Sequence, residues 1–178
     1  IKVDGQGNVW FAESQGNKIG KLAPSGLLTE YVIPRSNSQT KYLALDSQGQ
    51  VWFAETNSAG NIAVLDTLTG TVTEFMAPTA NCIPNGIIVD RFGFIWFTEY
   101  FTNKIARFDP ATSTFKEFPI PHASNDPPNP WLLAEAPDGS IWFTGDQQLS
   151  NPPLGTGVAG RIDATSGMIN VYKIPKPP

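Results

Sequence analysis

Three glutamates recur at one register of the chain: Glu13, Glu55 and Glu99 each close a string of the form Val/Ile-Trp-Phe-Ala/Thr-Glu, and Gly145 stands at the fourth occurrence. Carboxylates repeated in this way can cap strand ends by accepting loop N–H groups. They can also form a ring of hard oxygen donors for a cation, which makes Glu55 and Glu99 candidate metal ligands. If each string is the second strand of a hairpin, the residue at the start of the preceding strand faces it. That reasoning sets Lys41 against Glu55, Asn85 against Glu99 and Trp131 against Gly145. Lys41–Glu55 reads as an ion pair. Asn85 is a polar ligand contact, and Trp131 is either an aromatic platform for a ligand or a plug. His122, the only histidine, lies in a Pro-rich stretch and reads as a solvated loop residue or as a general base, for which its ordinary pKa range suits it. Asp146 opens an insertion, 146–156, that the other occurrences lack. Cys82 is the only cysteine, so no internal disulfide is possible, and with no histidine near it in sequence it reads as a small packed residue. No P-loop, nucleophile elbow or paired-cysteine metal motif is present.

The elements that position these residues follow from the repeat. The tryptophans fall at 10, 52, 96 and 142, steps of 42, 44 and 46 residues, a period that belongs to repeat architectures. Each string follows a Gly-containing turn (Asp4-Gly5-Gln6-Gly7, Asp46-Ser47-Gln48-Gly49) and a short apolar run such as Ile87-Ile88-Val89. Each precedes a third strand, such as Lys104-Ile105-Ala106-Arg107-Phe108, and a fourth, Pro-terminated one such as Phe118-Pro119-Ile120-Pro121. Four antiparallel strands per period predict an all-β chain of β-propeller blades, at about 1–36, 37–79, 80–122 and 123–178. The Trp-Phe pairs are apolar on consecutive residues, so each blade buries both faces and all four pairs are core. Four blades form a small closed ring, part of a larger ring, or one member of an oligomeric ring. The loops that join blades and the loops that follow each Trp-Phe string open on one face, at the mouth of the central channel, and both are longest around the fourth blade.

Composition narrows the partners. A net charge of -4 and a pI near 4.9, without a basic patch, argue against nucleic acid. No apolar run approaches the ~20 residues of a membrane helix. The start at Ile1 reads as a processed or truncated terminus, and an extracellular or periplasmic location is the expectation.

The strings Pro84-Asn85-Gly86-Ile87, Ile95-Trp96-Phe97-Thr98-Glu99, Asn17-Lys18-Ile19-Gly20-Lys21-Leu22 and Phe118-Pro119-Ile120-Pro121 resemble the repeats of the streptogramin B lyase (virginiamycin B lyase) family. The resemblance covers essentially the whole chain. It implies a seven-bladed ring and a Mg²⁺-assisted elimination that opens a cyclic depsipeptide at its ester. It also implies a base histidine at the x of P-x-G in adjacent blades and a glutamate fourteen residues on. Here the x positions hold Lys41, Asn85 and Trp131, while the glutamate pattern matches at Glu55 and Glu99. The reading is therefore a binding propeller without catalysis, presenting its channel-mouth face to a small molecule, glycan or protein. The alternative is the lyase itself, with Glu99 and His122 as its candidate catalytic residues.

Overall fold

The computed structural model describes residues 1–57, 60–122, 127–146 and 157–175. They form four four-stranded antiparallel sheets, each a meander in chain order, and no helix is found among them. The first blade is β1 (Lys2–Val3), β2 (Val9–Glu13), β3 (Lys18–Leu22) and β4 (Leu28–Val32). The second is β5 (Leu43–Leu45), β6 (Val51–Glu55), β7 (Asn61–Leu65) and β8 (Val72–Met76). The third is β9 (Pro84–Val89), β10 (Ile95–Glu99), β11 (Lys104–Asp109) and β12 (Thr114–Pro119). The fourth is β13 (Asn129–Glu135), β14 (Ile141–Asp146), β15 (Gly157–Ile162) and β16 (Ile169–Lys173). The inner strands β1, β5, β9 and β13 succeed one another around a channel lined by Tyr42, Leu43, Ile87, Ile88 and Leu133.

One aspartate organises the first hairpin of each of three blades. Asp90 accepts the N–H groups of Phe92 and Phe94 on one oxygen and the Trp96 indole N–H at 2.8 Å on the other. Asp4 and Asp46 hold Trp10 and Trp52 in the same way at 2.9 and 3.0 Å. The turn that each aspartate closes needs a left-handed residue, supplied by Gly7, Gly49 and Gly93 at φ 82°, 78° and 86°. The carboxylate thus fixes both the turn and the ring that packs beside it. In the fourth blade Ala136 takes this place, and Asp138 caps the turn through Ser140 instead.

Successive residues of a strand point to opposite faces, so each Trp faces the next blade and each Phe the previous one. Trp10 and Phe53 meet between blades one and two, Trp52 and Phe97 between two and three, and Trp96 and Phe143 between three and four. Trp10, Trp52 and Trp96 are all but completely buried. Trp142 departs from the expectation: among the described residues no blade lies against its face, and it is 37% exposed and stacked on Tyr172 of its own sheet. At the other end Val3, Leu28 and Val32 are open to solvent. Among the described residues the outer faces of the first and fourth blades are thus left uncovered.

Candidate functional site

The glutamates that end the second strands are not solitary. Glu55, Asn61 and Glu74 lie on the face of the second blade that meets the first, and Glu99, Lys104 and Glu117 occupy the same positions in the third. The fourth-strand glutamates Glu74 and Glu117 were not singled out from sequence. Each clamps the loop that leaves the preceding blade. Glu74 accepts the backbone N–H of Arg35 at 3.2 Å and its guanidinium at 3.2 Å. Glu117 accepts the N–H and hydroxyl of Thr79 at 3.1 and 3.0 Å, and Lys104 reaches both Thr79 and Glu117 at 2.6 Å. Behind these clamps Glu55 and Glu99 are fully buried. Burial, reinforced by the neighbouring Glu74 carboxylate and opposed by Asn61 and Arg35, pushes Glu55 up to about 7. Burial likewise pushes Glu99 to about 7; Glu117 adds to the rise, while the Thr102 hydroxyl and Lys104 oppose it. In the first blade Glu13, Lys18 and Glu30 repeat the set closer to solvent, with a Lys18–Glu30 ion pair at 3.0 Å.

The third seam lacks this arrangement entirely. Register places Gly145, Val158 and Val171 where the other blades carry the two carboxylates and their polar or cationic neighbour. A Cβ on Gly145 would lie 2.7 Å from the Pro128 carbonyl and 2.9 Å from the Val158 side chain, so backbone of the incoming loop fills the space a glutamate would need. Beside this filled space lies a cavity of about 460 Å³ bordered by Tyr100, Trp131, Thr144, Gly145 and Asp146. The Tyr100 and Trp131 rings stand 5.3 Å apart at 79°, two perpendicular walls. Tyr100 is anchored through its N–H on the Ile83 carbonyl at 3.3 Å, and Phe101 through its own on Cys82 at 3.2 Å. Burial, aided by the Asp146 carboxylate, raises the Tyr100 phenol above its ordinary value.

The hairpin pairs inferred from sequence are corrected by register. Glu99 faces Pro84, not Asn85, and Gly145 faces Pro130, not Trp131, because bulges interrupt both ladders. At each bulge a threonine takes over. Thr98 Oγ1 accepts the Gly86 N–H at 2.9 Å and donates to the Trp131 carbonyl at 3.2 Å, and Thr144 Oγ1 accepts the Leu132 N–H at 3.3 Å. Lys41 precedes β5 and does not pair with Glu55, whose cation is Arg35 at 3.2 Å; Lys41 instead borders a polar hollow with Gln15, Asn37 and Gln39. Asn85 is buried with neither amide atom hydrogen-bonded. His122 is exposed on the loop after β12, and Asp146 ends β14. The insertion from 147 to 156 and residues 123–126 lie outside the described residues. Cys82 is buried in the second seam, and desolvation, with Glu99 nearby, drives its thiol to about 12, which suits packing and not nucleophilic attack.

Residues 1–178 match the virginiamycin B lyase family over their whole length. The chain belongs to that family. A streptogramin B lyase structure is similar at 32% identity and a TM-score of 0.85, with 99% of this chain covering 54% of that one. Virginiamycin B lyase from Staphylococcus aureus is similar at 30% identity and a TM-score of 0.86, with 99% and 55% covered. A catalytically inactive histidine-to-alanine variant of the Staphylococcus aureus enzyme, crystallised with quinupristin, is similar at 28% and a TM-score of 0.82, with 97% and 54% covered. The chain thus spans about half the length of these structures. No match is found among curated proteins. A gluconolactonase from Xanthomonas campestris at 18% identity shares the fold alone.

The Mg²⁺ that the virginiamycin B lyase family implies can be tested against the donors present. Glu55 and Glu99 belong to different blades, and each already has a cation beside it, Arg35 and Lys104. No group of three among His, Cys, Asp and Glu is placed to hold a metal ion among the described residues. These side chains alone do not make a Mg²⁺ centre.

Proposed function

We propose that this half-ring of a virginiamycin B lyase-family propeller is a binding module that takes a small molecule in the cavity between the third and fourth blades. The observation that carries this reading is the exchange at that seam. The carboxylate clamp of the other seams is absent there, and beside the apolar residues that replace it lies an aromatic-walled cavity with a carboxylate at its edge. Ligand sites are commonly apolar concavities with a few convergent polar groups, and this cavity has that composition. The channel-mouth positions where the family resemblance implies a base hold Lys41, Asn85 and Trp131. Glycan or protein ligands would meet the same face.

Quinupristin, which occupies the crystal structure of the inactive Staphylococcus aureus relative, is the natural first probe. Calorimetric titration should give saturable binding to this chain, lost in Trp131→Ala, with a thermal melt of the variant confirming that it is folded. Absence of binding to a folded wild-type chain would refute the reading for this ligand class.

One observation favours elimination chemistry as a second reading. Glu99 stands at the family's glutamate position with a carboxyl held near neutrality, where it can exchange a proton at physiological pH. Incubating quinupristin with the chain and Mg²⁺ tests this. Ring opening by elimination leaves the mass unchanged, so chromatography with tandem mass spectrometry is the readout. A linear isomer whose formation fails in Glu99→Gln would establish the lyase; unchanged antibiotic supports binding alone.

A further inference from the structure

We propose that the polar hollow at the mouth of the first seam is a second ligand site and takes a sugar acid, a hydroxylated ring bearing a carboxylate, with Lys41 as its counter-charge. This site lies between the first and second blades and does not rest on the cavity beside the fourth. The hollow measures about 390 Å³, and its described lining is Ser14, Gln15, Asn17, Asn37, Gln39 and Lys41. Every one of these side chains is polar, and Lys41 alone is charged. The frame beneath them is fixed. Asn17 donates to the Ile33 and Arg35 carbonyls, both at 2.9 Å, and accepts the Ser38 N–H at 2.9 Å. Ser38 and Thr40 are fully buried, with their hydroxyls 3.2 Å apart. Asn17, Asn37 and Gln39 hold left-handed backbone at φ 55°, 58° and 54°, and Asn81, Ile83 and Asn103 repeat that backbone one blade on. There the place of Gln39 is apolar and the place of Lys41 is the buried Asn85, so the exposed polar surface is particular to the first seam.

The rim, unlike the frame, is unengaged. Among the described residues the side chains of Lys41, Ser14 and Gln15 make no hydrogen bond or ion pair. Glu55 is held by Arg35, and Glu13 lies against Gly16 and Gly20, where Glu30 and Lys18 face it. Charge and hydrogen-bonding capacity then decide among the ligand classes. A cation would meet Lys41 with like sign. A neutral sugar would leave the ammonium without an anion. A bare anion such as phosphate would match the ammonium but supply few donors for the Gln15 and Gln39 side-chain carbonyls and the Ser14 oxygen. A sugar acid answers both needs, with its carboxylate for the ammonium and hydroxyls, which donate and accept, for the amides. The chain's net charge of -4 repels anions at a distance, but that field is screened beyond about 8 Å at physiological ionic strength, whereas Lys41 acts in contact.

The probes are D-glucuronate, D-glucose and inorganic phosphate, titrated separately into the full chain and followed by amide chemical shifts. Glucuronate should bind about tenfold more tightly than glucose or phosphate, with the shifts confined to residues 14–17 and 37–41. Lys41→Gln should bring glucuronate within about twofold of glucose, while Lys41→Arg should keep most of the preference, with thermal melts showing that both variants fold. In the wild-type chain, raising NaCl should weaken glucuronate and leave glucose unchanged, a readout that needs no variant. Equal affinity for glucuronate and glucose would overturn the proposal, as would a preference that survives in Lys41→Gln or an absence of glucuronate binding. Phosphate as tight as glucuronate would reduce the hollow to a cationic spot and overturn the sugar assignment. Saturating glucuronate should leave quinupristin affinity unchanged, and competition between the two would overturn a separate site. A chain that binds glucuronate and not quinupristin supports this site and refutes the reading of the other cavity.

Discussion

Raising the pH from 5 to 8 is expected to destabilise this fold, and Glu99→Gln should remove about half of the loss. Glu55 and Glu99 are fully buried, and each is held at about 7 against an ordinary value of 4.5. The sign follows from where the protons leave. Below pH 4.5 folded and unfolded chains both hold them, and stability is whole. Between 4.5 and 7 the unfolded chain has released them while the folded chain retains them, so stability falls as pH rises. Above 7 both states are ionised and the loss is complete. Each group contributes at most about 1.4 kcal/mol per pH unit, accumulating to about 3 kcal/mol. Asp4, Asp66, Asp138, Asp163, Glu30 and Glu117, whose values are lowered in the fold, act at lower pH, while Glu13, raised by burial and by Glu30, acts in the same direction as the buried pair. Glutamine at 99 keeps an oxygen for the Thr102 hydroxyl but carries no titrating proton. Urea unfolding at half-unit steps from pH 5 to 8 measures both profiles. Wild type and variant running parallel across that range would refute the idea that burial of Glu99 sets the pH response.

Other substitutions follow from the same contacts. Asp90→Ala removes the acceptor for the Trp96 indole and two turn N–H groups, and should lower unfolding stability by about 2–3 kcal/mol in urea titrations. The reverse change, Ala136→Asp, should supply the missing acceptor for Trp142 and raise stability by about 1 kcal/mol. Gly145→Ala drives a Cβ onto the Pro128 carbonyl; a cost of about 1–3 kcal/mol and weakened ligand binding are expected from paired thermal and calorimetric measurements. Arg35→Met leaves Glu55 and Glu74 without their cation, and because Arg35 is partly exposed the cost should be about 1–2 kcal/mol at pH 8, shrinking at pH 5.

Periodicity made the blades legible, because a hairpin with Asp and Gly at fixed offsets from a Trp-Phe pair has few other ways to fold. The forward-facing Trp and backward-facing Phe were implied by consecutive apolar residues, and only Trp142, at an uncovered face, departs. The candidate site was partly legible. That Trp131 and Gly145, where the fourth blade breaks the pattern, border the cavity between the third and fourth blades could be read from the repeat. Cross-strand partners could not, because a bulge beside Thr98 or Thr144 shifts register by amounts that leave no mark in composition. Glu74 and Glu117 were overlooked although glutamate recurs in each of the first three fourth strands. The usable signal was that Val171 breaks this second series in the same blade where Gly145 breaks the first. Tyr100 was missed because it follows Glu99 in a loop, where strand periodicity carries no information.

The uncovered outer faces have a consequence for how the molecule breathes. Each apolar seam joins only successive blades, so cohesion accumulates along a line, as in a stack of repeats, and the two middle blades are secured from both sides while the outer two are secured from one. Local opening should therefore begin at the ends. Amide hydrogen exchange should be slowest in β6 and β10 and faster in β2 and β14, although the four strands have nearly the same sequence. The cavity beside β14 then lies at the border between a slowly exchanging half and a labile blade. A ligand held there would bridge the two, and its binding should register as slowed exchange throughout β14 and β15.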